Sequence, residues 1–423
     1  MSSMAKPGEG KTVVRRVVVS GLGIVSPLGN NPEAFFSNLM AGRSGISRFQ
    51  PEFAAGLSVR CAAQATIDPS AYFTKQKLVV LDRFSQFALV AASQAMTDAH
   101  MRIDETNNSR VGVSFGTGVG GVATIEEGYR ELFERDPVRV KPATVLMAMN
   151  NAAASQISID HGLKGPNLTY STACSSSALA IGEAYRMIRH GYADVMLAGG
   201  SEALLTYGTI KAWEALRALA VEDDEDPSAS CKPFSKNRSG LVLGEGAAVL
   251  ILEEAGMAAS RGAKIYGEII GYGCSSDASH LTKPSTEGQS RTICTALEDA
   301  GISPAEIDYI NAHGTATPVG DQVETAAIKQ VFGEAAYSIP ISSTKSMHGH
   351  MMGATGAVEF IVSLLAIAHC SVPPTAHLKI PDPQCDLDYV PEKGRFGLDI
   401  RTVMSNSFAF GGTNAVLIAR AFK

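Results

Sequence analysis

Val17-Val18-Val19-Ser20-Gly21-Leu22-Gly23 is an apolar, β-rich run that ends in Gly-x-Gly, and it returns later as Glu268-Ile269-Ile270-Gly271-Tyr272-Gly273. A second echo keeps the same order. Gly244-Glu245-Gly246-Ala247-Ala248-Val249-Leu250-Ile251 is matched by Gly411-Gly412-Thr413-Asn414-Ala415-Val416-Leu417-Ile418. Both place Ala-Val-Leu-Ile four residues after the first glycine, and both read as the end of a glycine-marked hairpin. Two matches in one order imply two similar halves, joined near residues 255–265. Each half opens as a strand running into a Gly-x-Gly turn. Further apolar runs at Val111–Gly116 and Asp194–Gly200 alternate with helix-period segments such as Phe84–Ala99 and Glu183–Gly191. Strand–helix alternation predicts an α/β chain with buried, mostly parallel strands. The expected organisation is an unstructured N-terminal arm over residues 1–15, one half over 16–260 and a second over 261–423.

The 423 residues, 45% of them hydrophobic, are enough to bury a large core. The seven cysteines are scattered, odd in number and without a CxxC pair. That pattern excludes a disulfide framework and a structural zinc site, and it fits a reducing, cytosolic compartment. A net charge of −6 points away from nucleic acid, and the acidic run Glu222–Asp226 reads as a solvated loop. Residues 1–16 are polar and basic with no apolar centre, so no secretory signal is expected. The longest apolar stretch, Met351–Cys370, carries Glu359 in its middle and is not expected to cross a membrane. A soluble enzyme is the expectation.

Ser171-Thr172-Ala173-Cys174-Ser175-Ser176-Ser177 sets one cysteine among small residues. Ala178, Ile181, Ala184, Tyr185 and Ile188 recur behind it at helical spacing. A helix N-terminus stabilises a thiolate through its free N–H groups and macrodipole, so Cys174 reads as a nucleophile for an acyl group. The alternative is an inert core thiol, the default for the other six cysteines.

A thiolate nucleophile needs donors for a developing oxyanion and groups that manage protons. His313 follows the apolar run Ile307–Ala312, and Lys345-Ser346-Met347-His348-Gly349-His350 follows the run Pro340–Thr344. Positions just past strand C-termini are where α/β folds collect active sites. The pair His348-x-His350 hints at a metal, but no further ligands cluster beside it in sequence, so no metal is expected. Gly116-Thr117-Gly118-Val119-Gly120-Gly121 satisfies G-x-G-x-x-G. It lies outside the first βαβ unit and lacks an acidic residue at the right distance. It therefore reads as a tight loop of close backbone approach and not as a dinucleotide fingerprint.

Cys174 in STACSSS, His313 in NAHGTATPVGD, His350 in STKSMHGHMMGATGAVE and the segment Asn406-Ser407-Phe408-Ala409-Phe410-Gly411-Gly412-Thr413-Asn414 stand together in this order. With them the chain resembles the β-ketoacyl-acyl carrier protein synthases, in particular the type II elongating enzymes, from about Arg16 to its end. The resemblance implies a thiolase-like fold, two similar α/β halves packed as an αβαβα sandwich, the first carrying the nucleophile and the second both histidines. It also implies a homodimer. The implied reaction is a decarboxylative Claisen condensation. An acyl group moves from acyl carrier protein to Cys174, then condenses with malonyl-acyl carrier protein to give 3-oxoacyl-acyl carrier protein and CO₂. No bound cofactor is implied, since phosphopantetheine arrives on the carrier.

By the same resemblance His313 and His350 hold the malonyl thioester carbonyl, and the backbone N–H groups of Cys174 and Phe410 form the oxyanion hole. Lys345 and Glu359 match a supporting charged pair. Thr315 and Thr317 match the lining of the phosphopantetheine tunnel. Phe408 joins the substrate-binding set, Phe410 matches an aromatic gate, and Val119 matches the floor of the acyl pocket. His348 stands where a small polar residue is usual and is given no catalytic role. Two other departures stand out. Ala409 replaces a glycine before the gate, which restricts the loop. Val79 and Val80 replace a basic pair for carrier docking, leaving Lys75, Lys77 and Arg83 nearby. Small residues around Cys174 also resemble ketosynthases of polyketide and aryl-polyene pathways. A non-catalytic chain-length-factor-type partner would lack the nucleophile, a degradative thiolase would pair it with a second cysteine, and a dehydrogenase would need the glycine loop for its cofactor.

Overall fold

The computed structural model describes residues 14–134 and 140–423. The arm expected over 1–15 therefore falls outside the described residues except for Val14 and Arg15. Ten strands form the main sheet: β1 (Val17–Val25), β2 (Val111–Gly116), β3 (Asn167–Tyr170), β4 (Val195–Glu202), β5 (Gly246–Glu254), β6 (Gly267–Ser276), β7 (Tyr309–Asn311), β8 (Ile341–Ser342), β9 (Thr402–Phe408) and β10 (Thr413–Arg420). Their order across the sheet is β8-β7-β9-β10-β6-β1-β5-β4-β2-β3. Subtracting five from the labels of the second set, β8-β7-β9-β10-β6, gives 3-2-4-5-1, the order of the first set. The duplication read from two glycine figures is thus a duplication of topology.

Six of the helices among the described residues repeat with it, three per half. They are α1 (Arg83–Asp98), α2 (Ala152–His161), α3 (Ser176–Arg189), α4 (Thr286–Ala300), α5 (Gly320–Phe332) and α6 (Thr355–His369). α1 and α2 share one core with the outer face of the first five strands. α4 and α5 do the same for the second five. α3 and α6 lie between the two sets in a third core, with Ile181, Ile188, Phe360 and Ile361 fully buried. The layers are helix, sheet, helix, sheet, helix. The two halves join edge to edge where Val17, Val18 and Val19 pair with Ile269, Glu268 and Gly267.

Strand direction departs from the expectation of a mostly parallel sheet. β1–β5, β4–β5, β9–β10, β6–β10 and β1–β6 are antiparallel, and only β2–β3, β2–β4, β7–β8 and β7–β9 are parallel. Helices cover the sheet on both faces, so even antiparallel strands carry continuous apolar runs, and the sequence pattern does not distinguish the two directions. The first hairpin expectation also changes. β9 and β10 form a tight hairpin, but β4 and β5 are neighbours separated by residues 203–245.

The paired glycines do not turn the chain. Gly21 and Gly23 lie inside β1, and Gly271 and Gly273 inside β6. A Cβ on Gly21 would sit 2.3 Å from the Ala95 carbonyl of α1, and one on Gly271 would sit 2.4 Å from the Ala296 carbonyl of α4. Each half also skips one residue of register just before the first glycine, at Ser20 and at Ile270. The repeated figure is a bulge followed by a bare strip on which a helix backbone rests.

The stretch Met352–His369 is long and apolar enough to cross a membrane by length and composition, but 89% of it is buried inside the fold. Glu359 is fully buried there and pairs with Lys345 at 2.6 Å. All seven cysteines are free thiols.

Candidate active site

Four loops converge between the halves. The first joins β3 to α3. Ala173 adopts φ 52, Cys174 lies in the short turn Ala173–Ser175, and α3 begins at Ser176. The second follows β7 and carries His313–Pro318, with Ala316 at φ 62. The third follows β8 and carries Lys345–His348, His350 and then Met352 at φ 43. Left-handed backbone at three non-glycine residues is strain, retained where the surroundings over-determine it. The fourth is the β9–β10 turn with Phe408 and Phe410.

Cys174 Sγ lies 3.0 Å from His350 Nε2, and the His313 ring stands edge-on to that of His350 with centroids 5.6 Å apart. The three residues line the inner end of a 320 Å³ cavity, together with Thr315, Thr317, Phe408 and Phe410. The Phe410 and Cys174 backbone N–H groups both act on the sulfur. Thr315 and Thr317 hydroxyls are 3.1 Å apart. Phe408 packs against the His313 ring with centroids 6.1 Å apart, and Phe410 stacks on Trp213 at 6.0 Å. Val119 is separate. It is 44% exposed in the single chain and is not part of the cavity wall.

The thiol is not ionised by its helix end. Burial pushes Cys174 up to about 11, against the opposing pull of Lys345 and the N–H groups of Phe410 and Cys174. The same burial, with Lys345 nearby, holds His313 and His350 well below the usual histidine range, so both rings are neutral. The His350 tautomer follows from its partners. Met352 N–H donates to Nδ1 at 3.1 Å, so Nδ1 carries the lone pair and Nε2 carries the proton that faces the sulfur. His348 is the opposite case. Its Nδ1 sits 2.8 Å from the Gly349 carbonyl, which can only accept, so Nδ1 is protonated and Nε2 accepts from Thr344 Oγ1 at 2.9 Å. Burial pushes His348 down to about 3. His348 thus braces the loop and does not reach the cavity.

In sequence, no further ligand clusters beside His350. In space, Cys174, His313 and His350 bring their ligand atoms within 4.8 Å of one another. The trio is close enough for a metal, but His350 presents its protonated nitrogen there, the wrong form for a ligand. Lys345 Nζ donates both to Glu359 and to the His313 carbonyl, tying the two histidine loops together.

Two carboxylates that the sequence reading passed over anchor these loops. Glu324, buried on α5, accepts the N–H groups of His313 at 2.8 Å and Gly314 at 2.7 Å, and Asn406 Nδ2 at 3.2 Å. Glu202, at the end of β4, accepts Gly118 N–H at 2.6 Å, Val119 N–H at 3.2 Å, Thr117 Oγ1 at 3.2 Å and Gly353 N–H at 2.9 Å. The acceptor cradled by the Gly116–Gly121 loop is therefore a side chain of the protein itself. The readable signal for Glu324 was its place on the buried stripe Asp321, Glu324, Thr325, Ile328 of α5. The signal for Glu202 was a charge closing the apolar run over residues 195–198 and its two glycines.

Ala409 sits at φ −98 and ψ 155, extended backbone open to any residue, so the alanine is unstrained here. Val79 is 67% exposed and Val80 41%. Of the basic residues near them, Lys77 pairs with Asp160 and Arg83 with Glu245.

The description "Beta-ketoacyl synthase, N-terminal domain" matches residues 14–258, and "Beta-ketoacyl synthase, C-terminal domain" matches 266–379. The chain is 46% identical over 407 residues to the 3-oxoacyl-[acyl-carrier-protein] synthase 2 of Coxiella burnetii, covering 96% of this chain and 98% of that one. It is 44% identical over 412 residues to the protein of that name from Staphylococcus aureus (strain COL), covering 97% and 99%. Among solved structures it is similar, with a TM-score of 0.89 and 37% identity over 97% of this chain and 100% of the other, to a ketosynthase bound to a hexaketide and in complex with its type II polyketide acyl carrier protein.

Proposed function

The chain belongs to the β-ketoacyl synthase family, and we propose that Cys174, His313 and His350 carry its reaction. The enzyme is an acyltransferase that condenses an acyl group with malonyl-acyl carrier protein in fatty-acid elongation. The observation that carries the site assignment is the 3.0 Å contact of Cys174 Sγ with the protonated Nε2 of His350, at the end of a cavity that His313 also lines.

In the first stage the Cys174 sulfur attacks the acyl thioester, the N–H groups of Cys174 and Phe410 receive the oxyanion, and the carrier thiol departs with the proton that Cys174 gave up. Backbone donors offset the burial of the thiol: the N–H groups of Cys174 and Phe410 lower the cost of negative sulfur, and Nε2–H of His350 adds to them without being required. In the second stage malonyl thioester occupies the emptied site. The C–CO₂ bond breaks, its electron pair moves into the thioester enolate, and neutral His313 and His350 donate to the enolate oxygen. The carbanion then attacks the acyl-Cys174 carbonyl, the same N–H pair receives the second oxyanion, and the Cys174 thiolate leaves and regains a proton from water. Lys345 and Glu359 act as supports: their ion pair holds the two histidine loops in register, while burial, helped by the Lys345 charge, disfavours a proton on either ring.

Thr315, Thr317 and Phe408 line the path of the pantetheine arm, Phe410 is the gate between the acyl pocket and the malonyl site, and Val119 belongs to the floor of an acyl pocket separate from the described cavity. The carrier protein supplies phosphopantetheine, and none of the proposed steps draws on a resident cofactor or metal. The division at 260/261 separates a half that holds the acyl group from a half that activates malonyl. A homodimer is supported by β3, one of the two edge strands of the sheet, which exposes Leu168, and by the exposed apolar side chains Tyr129, Phe133, Val145 and Leu146 of the same half. Seven free thiols, one of them the nucleophile, fit a reducing cytoplasm. Higher identity to the elongating synthases than to the polyketide ketosynthase favours fatty acid over polyketide or polyene substrates.

Intact-mass measurement after mixing with acyl-carrier protein tests the assignment. Wild type should gain one acyl group, and Cys174→Ala should gain none and lose condensation. An adduct on the variant would overturn the reading.

A further inference from the structure

Glu202 is fully buried, and none of its hydrogen bonds goes to Cys174, His313 or His350. Its partners belong to two separate loops. Oε1 receives Val119 N–H and Thr117 Oγ1, and Oε2 receives Gly118 N–H and Gly353 N–H. Gly353 directly follows Met352, whose left-handed backbone is held against its own preference. Two successive N–H groups of this turn therefore have two different buried acceptors: Met352 N–H has His350 Nδ1, and Gly353 N–H has Glu202. The turn is also pressed onto the glycine-rich loop, since a Cβ on Gly353 would lie 2.4 Å from Gly118 N.

The His350 ring has a second option built in. Nδ1 also lies 3.0 Å from Thr355 Oγ1, a hydroxyl able to donate or accept. If Met352 N–H swings away, Nδ1 can take the proton and donate it to Thr355. Nε2 would then turn a lone pair toward the enolate oxygen, which repels where it should donate.

We infer that Glu202 is a positioning residue for malonyl decarboxylation, acting through Gly353 to hold the Met352 turn and so keep the His350 proton on Nε2. The inference rests on the proposed role of His350. Glu202 makes and breaks no bond; it selects a tautomer.

Glu202→Met fills a similar volume and removes the acceptor. ¹⁵N-histidine NMR of the full-length enzyme should show His350 with a bare Nδ1 in wild type, and with a protonated or mixed Nδ1 in the variant. Malonyl-carrier decarboxylation should fall on the order of 100-fold, as for a misplaced reacting group, while acyl transfer to Cys174 persists. Replacing the Gly353 peptide bond by an ester deletes only that N–H, and it should give the same tautomer change even where Glu202→Met fails to fold. An unchanged His350 tautomer overturns the inference, whether decarboxylation survives or not. A wild type that shows the expected tautomer but does not decarboxylate malonyl would instead overturn the functional reading.

Discussion

The loop after β2 and the loop after β7 occupy the same place in the two halves, and they differ in one respect that decides the chemistry. Each is pinned by a buried carboxylate that takes two consecutive backbone N–H groups: Glu202 holds Gly118 and Val119, and Glu324 holds His313 and Gly314. In the first half the pinned loop presents glycines and no reactive group. In the second it presents a histidine. The loops after β3 and β8 divide in the same way, one offering Cys174 and the other Lys345 and His350. Duplication supplied a common scaffold, the anchoring carboxylates come from non-equivalent places on it, the end of β4 and the helix α5, and divergence of a few side chains gave one half the proposed nucleophile and the other the proposed donors.

That division makes ordered predictions. His313→Ala and His350→Ala should each lower malonyl decarboxylation about 100- to 1000-fold, the usual range for a lost oxyanion donor, while mass spectrometry still finds acyl-Cys174. Loss of acylation in both would contradict the separation of labour. Glu324→Ala should act in the same direction but less, about 10- to 100-fold, because the histidine stays and only its loop shifts. Alkylation of Cys174 by iodoacetamide, followed against pH, should climb from about pH 7 to about pH 10 without a plateau, since burial pushes the thiol up to about 11. An early plateau would restore the helix N-terminus as the controlling influence.

The smallest effect concerns His348. Its pKa is pushed down to about 3, so the folded protein binds fewer protons than the unfolded chain below about pH 6.5. Its contribution to stability is therefore complete above that pH and is lost as pH falls toward 3, by up to about 1.4 kcal/mol per pH unit. His348→Thr should flatten this acid-side loss in urea titrations at pH 5 relative to pH 7. An identical pH slope would place the buried charge elsewhere.

The sequence made the duplication and the Cys174, His313, His350 order legible because those features rest on residue identity and spacing. Strand direction was hidden because burial on both faces erases the alternation that marks antiparallel edges. The role of Gly21 and Gly271 was misread as turning because a helix pressing on a strand leaves the same mark as a turn. The thiol's protonation was misread because a helix end is visible in a sequence and desolvation is not. Glu202 and Glu324 were overlooked because an anchoring carboxylate is defined by the N–H groups around it, and those come from segments far away in the chain.

The shared central layer has a consequence for how the chain can be divided. α3 and α6 fill one core, and each half would expose its own central helix if it stood alone. A chain severed in the segment between β5 and β6 should yield two fragments that stay unfolded apart and assemble on mixing. The cysteine would lie on one fragment and the histidines that serve the malonyl step on the other, so regained condensation would report the joining of two separately made pieces.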